Sequence, residues 1–295
     1  MATPSVTINE QRPWPWLDAF DEASARFFNG RDDDAVSLLR MVRGSQVTVL
    51  FGKSGLGKTS LLQAGLFPLL RKERLFPIHV RLRYDEGAPP PLEQIWQRFA
   101  HESTQFGFSF RNESSSKAQR DANWLWIYLH HRPPGLIGPD GAEWQPVFVL
   151  DQFEEIFTLG AGDAARHEKF FADLGDLIEN RVPRAVAERL HDDDDLLDSH
   201  DLDTQPYKFL LSLREDYLPD LEVWSDEIPR LGPNRYRLLP MTRPQALQAV
   251  IDTGGSLVTH EDANRIVDYL PSNLNGKNER SNGVGRRYAD PSIEP

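Results

Sequence analysis

The sequence predicts an α/β fold with a mostly parallel central sheet flanked by helices, followed by a small helical, lid-like region. Three observations predict it. The stretch Val47–Ser60 reads as an apolar strand, a loop of the form G-x-x-x-x-G-K-[ST] from Gly52 to Thr59, and a helix opening near Lys58. Val147-Phe148-Val149-Leu150 is a continuous apolar run ending in Asp151, the pattern of a strand buried on both faces of a parallel sheet. Strand-like and helix-like segments alternate along most of the chain, which places the loops, and any ligand, at the strand C-termini.

The glycine loop carries the first half of a site. A phosphate chain needs many N–H donors at close range. Gly52, Gly55 and Gly57 are expected to let the backbone turn with φ > 0 and bring those donors in, and the helix N-terminus adds partial positive charge. Gly52, Lys53, Ser54, Gly55, Leu56, Gly57, Lys58, Thr59 and Ser60 therefore form the candidate nucleotide cradle of a P-loop NTPase. Lys58 would reach the β- and γ-phosphates, and the Thr59 hydroxyl would hold Mg²⁺.

The second half is expected at the ends of two other strands. Asp151, closing the Val147–Leu150 strand, has the Walker B form and would orient a Mg²⁺-bound water. Either Glu154 or Glu155 could polarise the water that attacks the γ-phosphate. Both also suit the first turn of a helix, where the dipole favours acids. Arg214 ends the Leu211-Ser212-Leu213 strand. It can sense γ-phosphate charge, or form a salt bridge with Glu215 or Asp216.

Composition bounds the alternatives. A chain of 295 residues holds one large or two modest domains. We divide it into an N-terminal arm with a short helix (1–30), an NTPase core (31–240), and the start of a helical lid with a disordered tail (241–295). Acidic residues outnumber basic ones 45 to 33, for a formal net charge of -12, which argues against nucleic acid as a main partner. The absence of cysteine excludes disulfides and thiolate metal sites and fits a cytoplasmic location. No secretory signal is visible, and no apolar run is long enough to span a membrane, so no membrane partner is expected.

In chain order, residues 1–13 read as a loose arm. Trp14-Pro15-Trp16-Leu17 predicts an extended segment packed on a surface, and Asp18 to Phe27 a short helix. Asp32 or Asp33 should cap a helix carrying Val36, Leu38, Leu39 and Val42, with Asp32-Asp33-Asp34 at its positive end. Behind the glycine loop, Leu61, Leu62, Gly65, Leu66 and Leu69 share one helix face, which Pro68 should break or kink. Ile78–Leu82 reads as a strand and residues 85–91 as a proline-rich loop. Leu92–Phe106 reads as an amphipathic helix burying Leu92, Ile95, Trp96 and Phe99.

Residues 107–117 are polar and expected to be mobile. Trp124, Trp126, Ile127 and Tyr128 predict a buried helix face in preference to an aromatic ligand box. A turn-rich loop is expected over 138–145, helix near Glu154 and from Ala165 to Arg189, and a solvated acidic loop from His191 to Asp203. Tyr207–Leu213 reads as a buried strand and Arg235–Leu239 as a last short one. Thr242-Arg243-Pro244-Gln245 is a capping box for a helix through Ile251. Thr259 opens another through Leu270, and beyond Pro271 little can be buried.

Taken in order, Phe28-Asn29-Gly30-Arg31, the Gly52–Ser60 loop, Asp151-Gln152-Phe153-Glu154-Glu155-Ile156-Phe157-Thr158, Leu213-Arg214-Glu215-Asp216-Tyr217-Leu218 and Arg235–Thr242 resemble the STAND ATPases of bacteria. These are signal-transduction ATPases with numerous domains, related to AAA+ proteins and NACHT modules. The match is to the novel STAND subgroup, over about residues 14–270. The resemblance implies an ATP/ADP switch with slow hydrolysis: ADP holds a closed monomer, and ATP favours an open homo-oligomer. It places Gly30 and Arg31 near the adenine, Asp151 at Mg²⁺, Glu155 or Glu154 at the water, and Arg214 at the sensor position. It also implies a signalling role, in anti-phage defence or cell-death control. Similar proteins carry an effector before the ATPase and a repeat sensor after it. Neither is found in these 295 residues. They are expected on other chains or in further parts of the same protein, and the sequence at 292–295 reads as an interruption of the lid. A non-catalytic module that keeps nucleotide for folding is the alternative, followed by a small-molecule kinase, for which no Arg-rich lid is seen.

Overall fold

The computed structural model describes residues 8–110, 124–131, 136–192 and 198–269. The polar segment beyond Phe110, the centre of the acidic run (193–197) and the tail after Tyr269 lie outside the described residues.

The helices and strands follow in order. They are α1 (Asp32–Gly44), β1 (Val47–Gly52), α2 (Lys58–Ser60), α3 (Phe67–Lys72), β2 (Leu75–Val80), α4 (Pro91–Gln105), β3 (Ser109–Phe110), α5 (Trp124–Leu129), β4 (Leu136–Ile137) and β5 (Glu143–Leu150). Then come α6 (Glu155–Thr158), α7 (Ala164–Glu179), α8 (Arg184–Asp192), β6 (Lys208–Arg214), α9 (Leu218–Glu222), β7 (Arg235–Arg237), α10 (Arg243–Gly254) and α11 (His260–Tyr269).

The strands form one sheet in the order β3-β4-β5-β6-β1-β7, with β2 also pairing with β5. The sheet is mostly parallel, as expected. β5 runs parallel to β2 from Gln145 opposite Leu75 to Leu150 opposite Val80. It also runs parallel to β6 from Val147 opposite Lys208 to Leu150 opposite Leu211. Strands β3 and β4 add a short antiparallel extension at the start of β5. Their pairing draws Glu143–Gln145 into β5, so the loop expected over 138–145 ends earlier. β2 begins before the expected Ile78 because Pro77 costs it nothing. The carbonyls of Arg74 and Val80 accept from β5-side amides, so alternate residues face β5 and Pro77 faces the open edge.

By contact the chain divides into two units. Among the described residues, one comprises 8–40, 52–72 and 236–269, and the other 41–51, 73–235. In the second, the apolar runs of β1, β5 and β6 are buried together with Phe76, Phe99, Phe153, Phe171 and Tyr207. The helix α5 buries Leu125, Trp126 and Leu129, and Tyr128 meets Trp96 edge-on at 4.7 Å, so this face is core. The single helix expected from Ala165 to Arg189 is two. Asn180 is left-handed (φ 59) and Pro183 follows, which ends α7 before α8. The acidic stretch is ordered at its far end. His200 is buried and bridges His131, and Asp201 accepts the amides of Asp203 and Thr204.

The first unit corrects several local expectations. Residues 9–12 form a tight turn in place of a loose arm. Trp16 and Leu17 are exposed while Pro13 and Pro15 are buried, so the segment turns outward at Trp16 (φ 60) instead of packing its indole. The short helix is 3₁₀ and starts at Glu22, because Asp21 and Ser24 close a capping box there. Asp32, Asp33 and Asp34 fill the first turn of α1, and its buried face is Ala35, Leu38 and Val42, with Val36 exposed. Pro68 does not end its helix. The preceding turn, Leu61–Leu66, widens to π geometry, with the Phe67 amide donating to the Leu62 carbonyl, and α3 continues to Lys72. The capping box of Thr242 and Gln245 forms as expected at α10. Thr259 and Asp262 cap α11 reciprocally.

Candidate nucleotide site

The glycine loop lies wholly in the first unit. Gly55 (φ 77) and Gly57 (φ 83) are left-handed, and Gly57 is the residue before α2. An L side chain is strained at both, so glycine is required for the turn. Gly52 is needed for a different reason than expected. Its φ is not positive, but a Cβ there would lie 2.6 Å from the Leu238 carbonyl oxygen. Lys58 opens α2, and its Nζ donates to the carbonyls of Gly52 (2.9 Å) and Lys53 (3.1 Å), tying the two ends of the loop together. Thr59 follows on the helix. The Ser60 hydroxyl accepts the Phe20 amide at 3.1 Å, which fastens the N-terminal segment to the same helix.

Gly30 and Arg31 belong to this unit too. Gly30 (φ 83) packs so closely on α10 that a Cβ would meet the Gln245 carbonyl oxygen at 2.5 Å. Arg31 is buried, 4% exposed. Its guanidinium donates to Asp34 (2.9 Å), to the Leu239 carbonyl (2.9 Å) and to the Leu56 carbonyl within the glycine loop (3.3 Å). Arg31 is thus a clasp on the loop. Asp34 also accepts from the Tyr236 hydroxyl at 2.5 Å, and burial, reinforced by Asp34, raises the Tyr236 pKa. Sequence reasoning missed Asp34 and Tyr236. From sequence Asp34 is only a dipole-favoured acid, and nothing local to either residue announces a pairing across some two hundred positions.

The acidic residues lie in the second unit. Asp151 follows β5 and is buried. Its Oδ1 accepts the Gln152 amide (3.0 Å), and its Oδ2 lies 3.3 Å from His79 Nε2. Gln152 is left-handed (φ 53), a conformation that costs a residue with a Cβ and that clusters at functional sites. Glu155 is gripped in two-point fashion by Arg81, through Nη2 and Nε, and this contact is the main cause of a raised Arg81 pKa. Glu154 instead accepts the backbone amide of Arg214 at 3.2 Å. The Arg214 side chain pairs with Asp216 and lies over the Tyr217 ring. His79 and Arg81 were not singled out from sequence. Their signal was the alternation of charged residues with Val80 and Leu82 after an apolar strand.

The Thr59 hydroxyl in the first unit and the Asp151 carboxylate in the second are each oxygen donors of the kind Mg²⁺ takes. Among the described residues no group of three or more His, Cys, Asp or Glu could hold a metal alone.

A left-handed glycine loop leading from a buried strand into a helix headed by Lys-Thr, together with an apolar strand ending in a carboxylate, defines a P-loop NTPase of the Walker type. The fold is similar to that of the Walker-type ATPase PABY2304 of Pyrococcus abyssi. The TM-score is 0.52 at 15% identity, over 85% of this chain and 65% of that one. Lower similarity extends to the ORC2 protein of Aeropyrum pernix in its ADP form (TM-score 0.45, 16% identity, 84% of this chain and 56% of that one). It extends likewise to Cdc6p of Pyrobaculum aerophilum (TM-score 0.46, 14% identity, 81% and 54%). The chain spans less than two thirds of the length of these proteins. No curated protein matches it. Within the Walker class its family is specific: the chain belongs to the novel STAND NTPases, and the family described as Novel STAND NTPase 1 matches residues 13–268. Among the described residues no helix is long and apolar enough to cross a membrane.

Proposed function

We propose that the chain binds ATP with Mg²⁺, hydrolyses it slowly, and acts as a nucleotide-controlled switch that oligomerises in the ATP state. The observation that carries this reading is the glycine loop, with Gly55 and Gly57 left-handed ahead of Lys58, in a chain of the STAND family. Lys58 exchanges its two loop carbonyls for the β- and γ-phosphates, which offer full charge. The loop amides bind the phosphate oxygens. Thr59 and Asp151 would hold Mg²⁺, which when bound offsets charge on the phosphates. Glu155, released from Arg81, orients the attacking water and takes its proton, and Arg214, released from Asp216, faces the γ-phosphate charge. Slow turnover fits a site in which every group proposed for the chemistry is already engaged by a neighbour. Signalling in bacterial defence or cell-death control, with effector and sensor parts outside this sequence and a cytoplasmic location, is the setting we propose for the switch.

The test is chromatography of nucleotide released from purified protein, followed by a hydrolysis assay with Mg²⁺. Adenine nucleotide and slow phosphate release are expected, with both lost in Lys58→Ala. Guanine nucleotide, or phosphate transfer to an added acceptor in place of water, would overturn the reading. Light scattering that gives one mass with ATP, ADP and no nucleotide would remove the oligomerising step.

A further inference from the structure

We propose that the second unit carries an anion-binding groove between the open edge of β2 and α4, suited to a small ligand bearing several phosphates. The proposal does not rest on the glycine loop, and it meets the groups proposed for hydrolysis only where His79 contacts Asp151 and Arg81 holds Glu155.

The groove has a volume of about 430 Å³ and is lined by His79, Val80, Arg81, Arg83, Gln94, Gln97, Arg98 and His101. Two periodicities converge on it. On the strand side, His79, Arg81 and Arg83 recur every second residue, alternating with the buried Val80 and Leu82. On the helix side, Gln94, Gln97, Arg98 and His101 fall at the three- and four-residue spacing of one helix face. Both elements turn donor-rich side chains to the same space. Among the described residues no acid lines it, in a chain where acids outnumber bases 45 to 33. The carboxylates that pair with these arginines, Glu155, Asp85 and Glu102, stand outside the lining.

The wall is also fixed in place. Arg98 Nε donates to the His79 carbonyl (3.0 Å) on the strand edge that faces away from β5, and the guanidinium pairs with Glu102 at 2.7 Å. Gln94 holds both the amide and the carbonyl of Arg83, at 2.8 and 2.9 Å. These contacts occupy the backbone groups of an edge that another strand could pair with, which argues against a peptide adding a strand here. They leave the guanidinium fork of Arg83 at the mouth beside that of Arg81, whose fork is held by Glu155; both side chains are more than half exposed. Such forks match phosphate oxygens two at a time, and a volume near 430 Å³ is within the range of small-molecule sites. In a chain of net negative charge, a groove lined by three arginines favours an anion.

Inorganic pyrophosphate is the probe, titrated calorimetrically at low ionic strength. Because a glycine loop also takes pyrophosphate, the measurement uses the full chain carrying Lys58→Ala and, in parallel, wild-type protein saturated with ADP. Binding of one equivalent is expected in both. Adding Arg83→Ala or Gln97→Glu should weaken it about tenfold, with the melting temperature unchanged. Arg83 makes only a 3.9 Å surface pair, so its removal leaves the fold intact. Absence of pyrophosphate binding in both backgrounds overturns the proposal, as does binding that ignores Arg83→Ala and Gln97→Glu. Tight binding of a single-stranded oligonucleotide without binding of pyrophosphate overturns the small-ligand assignment. Loss of ATP binding by wild-type protein would count against the switch alone, because the groove is read in protein whose glycine loop is disabled.

Discussion

Replacing Arg31 tests whether this residue is a clasp on the glycine loop or a contact for the nucleotide base. The guanidinium is 4% exposed and its partner Asp34 16%. Arg31→Ala strands a largely buried carboxylate and removes the donor from the carbonyls of Leu239 and Leu56. Breaking a buried ion pair by deleting one partner costs about 3–5 kcal/mol. Asp34 keeps the Tyr236 hydroxyl at 2.5 Å and can recover some water, so the lower end, about 3 kcal/mol, applies. With a urea dependence of about 1–3 kcal/mol per molar, the unfolding midpoint should fall by roughly 1–3 M. Adding Asp34→Asn should recover part of the loss by removing the stranded charge. Arg31→Lys should fall between, because an ammonium cannot reproduce a planar fork that serves three acceptors. Nucleotide affinity should drop only as far as the loop loosens, by less than about tenfold. An Arg31→Ala protein with an unchanged midpoint and a far larger loss of ATP affinity would refute the clasp and restore the sequence-based placement of Arg31 beside the base.

Two further outcomes follow from buried groups in the second unit. The Tyr84 hydroxyl is buried without a hydrogen-bond partner among the described residues. Tyr84→Phe should therefore raise stability, by about 1 kcal/mol, as read by chemical denaturation; a loss of that size would show a partner. His130 is fully buried, stacked on Trp126 and bonded to Asn180, and burial lowers its pKa. A histidine harder to protonate when folded gives stability that is complete above the unfolded value of about 6.5 and is lost as pH falls through the folded one. Denaturation midpoints should decline below about pH 6.5, and His130→Gln should flatten that decline.

Legibility from sequence divided along a physical line. Features set by local pattern were readable. The continuous apolar runs of β5 and β6 could be stable only with both faces covered. Thr242 and Gln245 sit at the spacing a capping box demands. The glycine loop is a turn that other residues resist. Features set by contact between distant segments were not readable. Gly52 looks like one more flexible glycine until Leu238 is seen against it. Pro68 reads as a breaker because a widened turn ahead of it cannot be foreseen from propensity. Arg31 and Glu155 each carry a role by resemblance, but their partners Leu239 and Arg81 lie far along the chain. Pairing across such distances leaves no local trace.

The proposal for Glu155 over Glu154 rests on what each must give up to act on a water. Glu155 gives up Arg81, a side chain 57% exposed. Water replaces the lost contacts, and screening limits such a pair to at most about 1 kcal/mol, a factor of about five in population. Glu154 gives up the backbone amide of Arg214, at a part-buried strand end. An amide stranded there costs about 1–3 kcal/mol, and the strand terminus bearing Arg214 loses its anchor. We therefore propose Glu155 as the mobile acid and Glu154 as the positioning one. In the hydrolysis assay, Glu155→Gln should keep ATP affinity and lower turnover by at least about a hundredfold, the scale of a lost general base. Glu154→Gln retains an acceptor oxygen for the Arg214 amide, so it should keep most of the turnover, whereas Glu154→Ala should lose stability along with turnover. Normal hydrolysis by Glu155→Gln beside a silent Glu154→Gln would reverse the assignment.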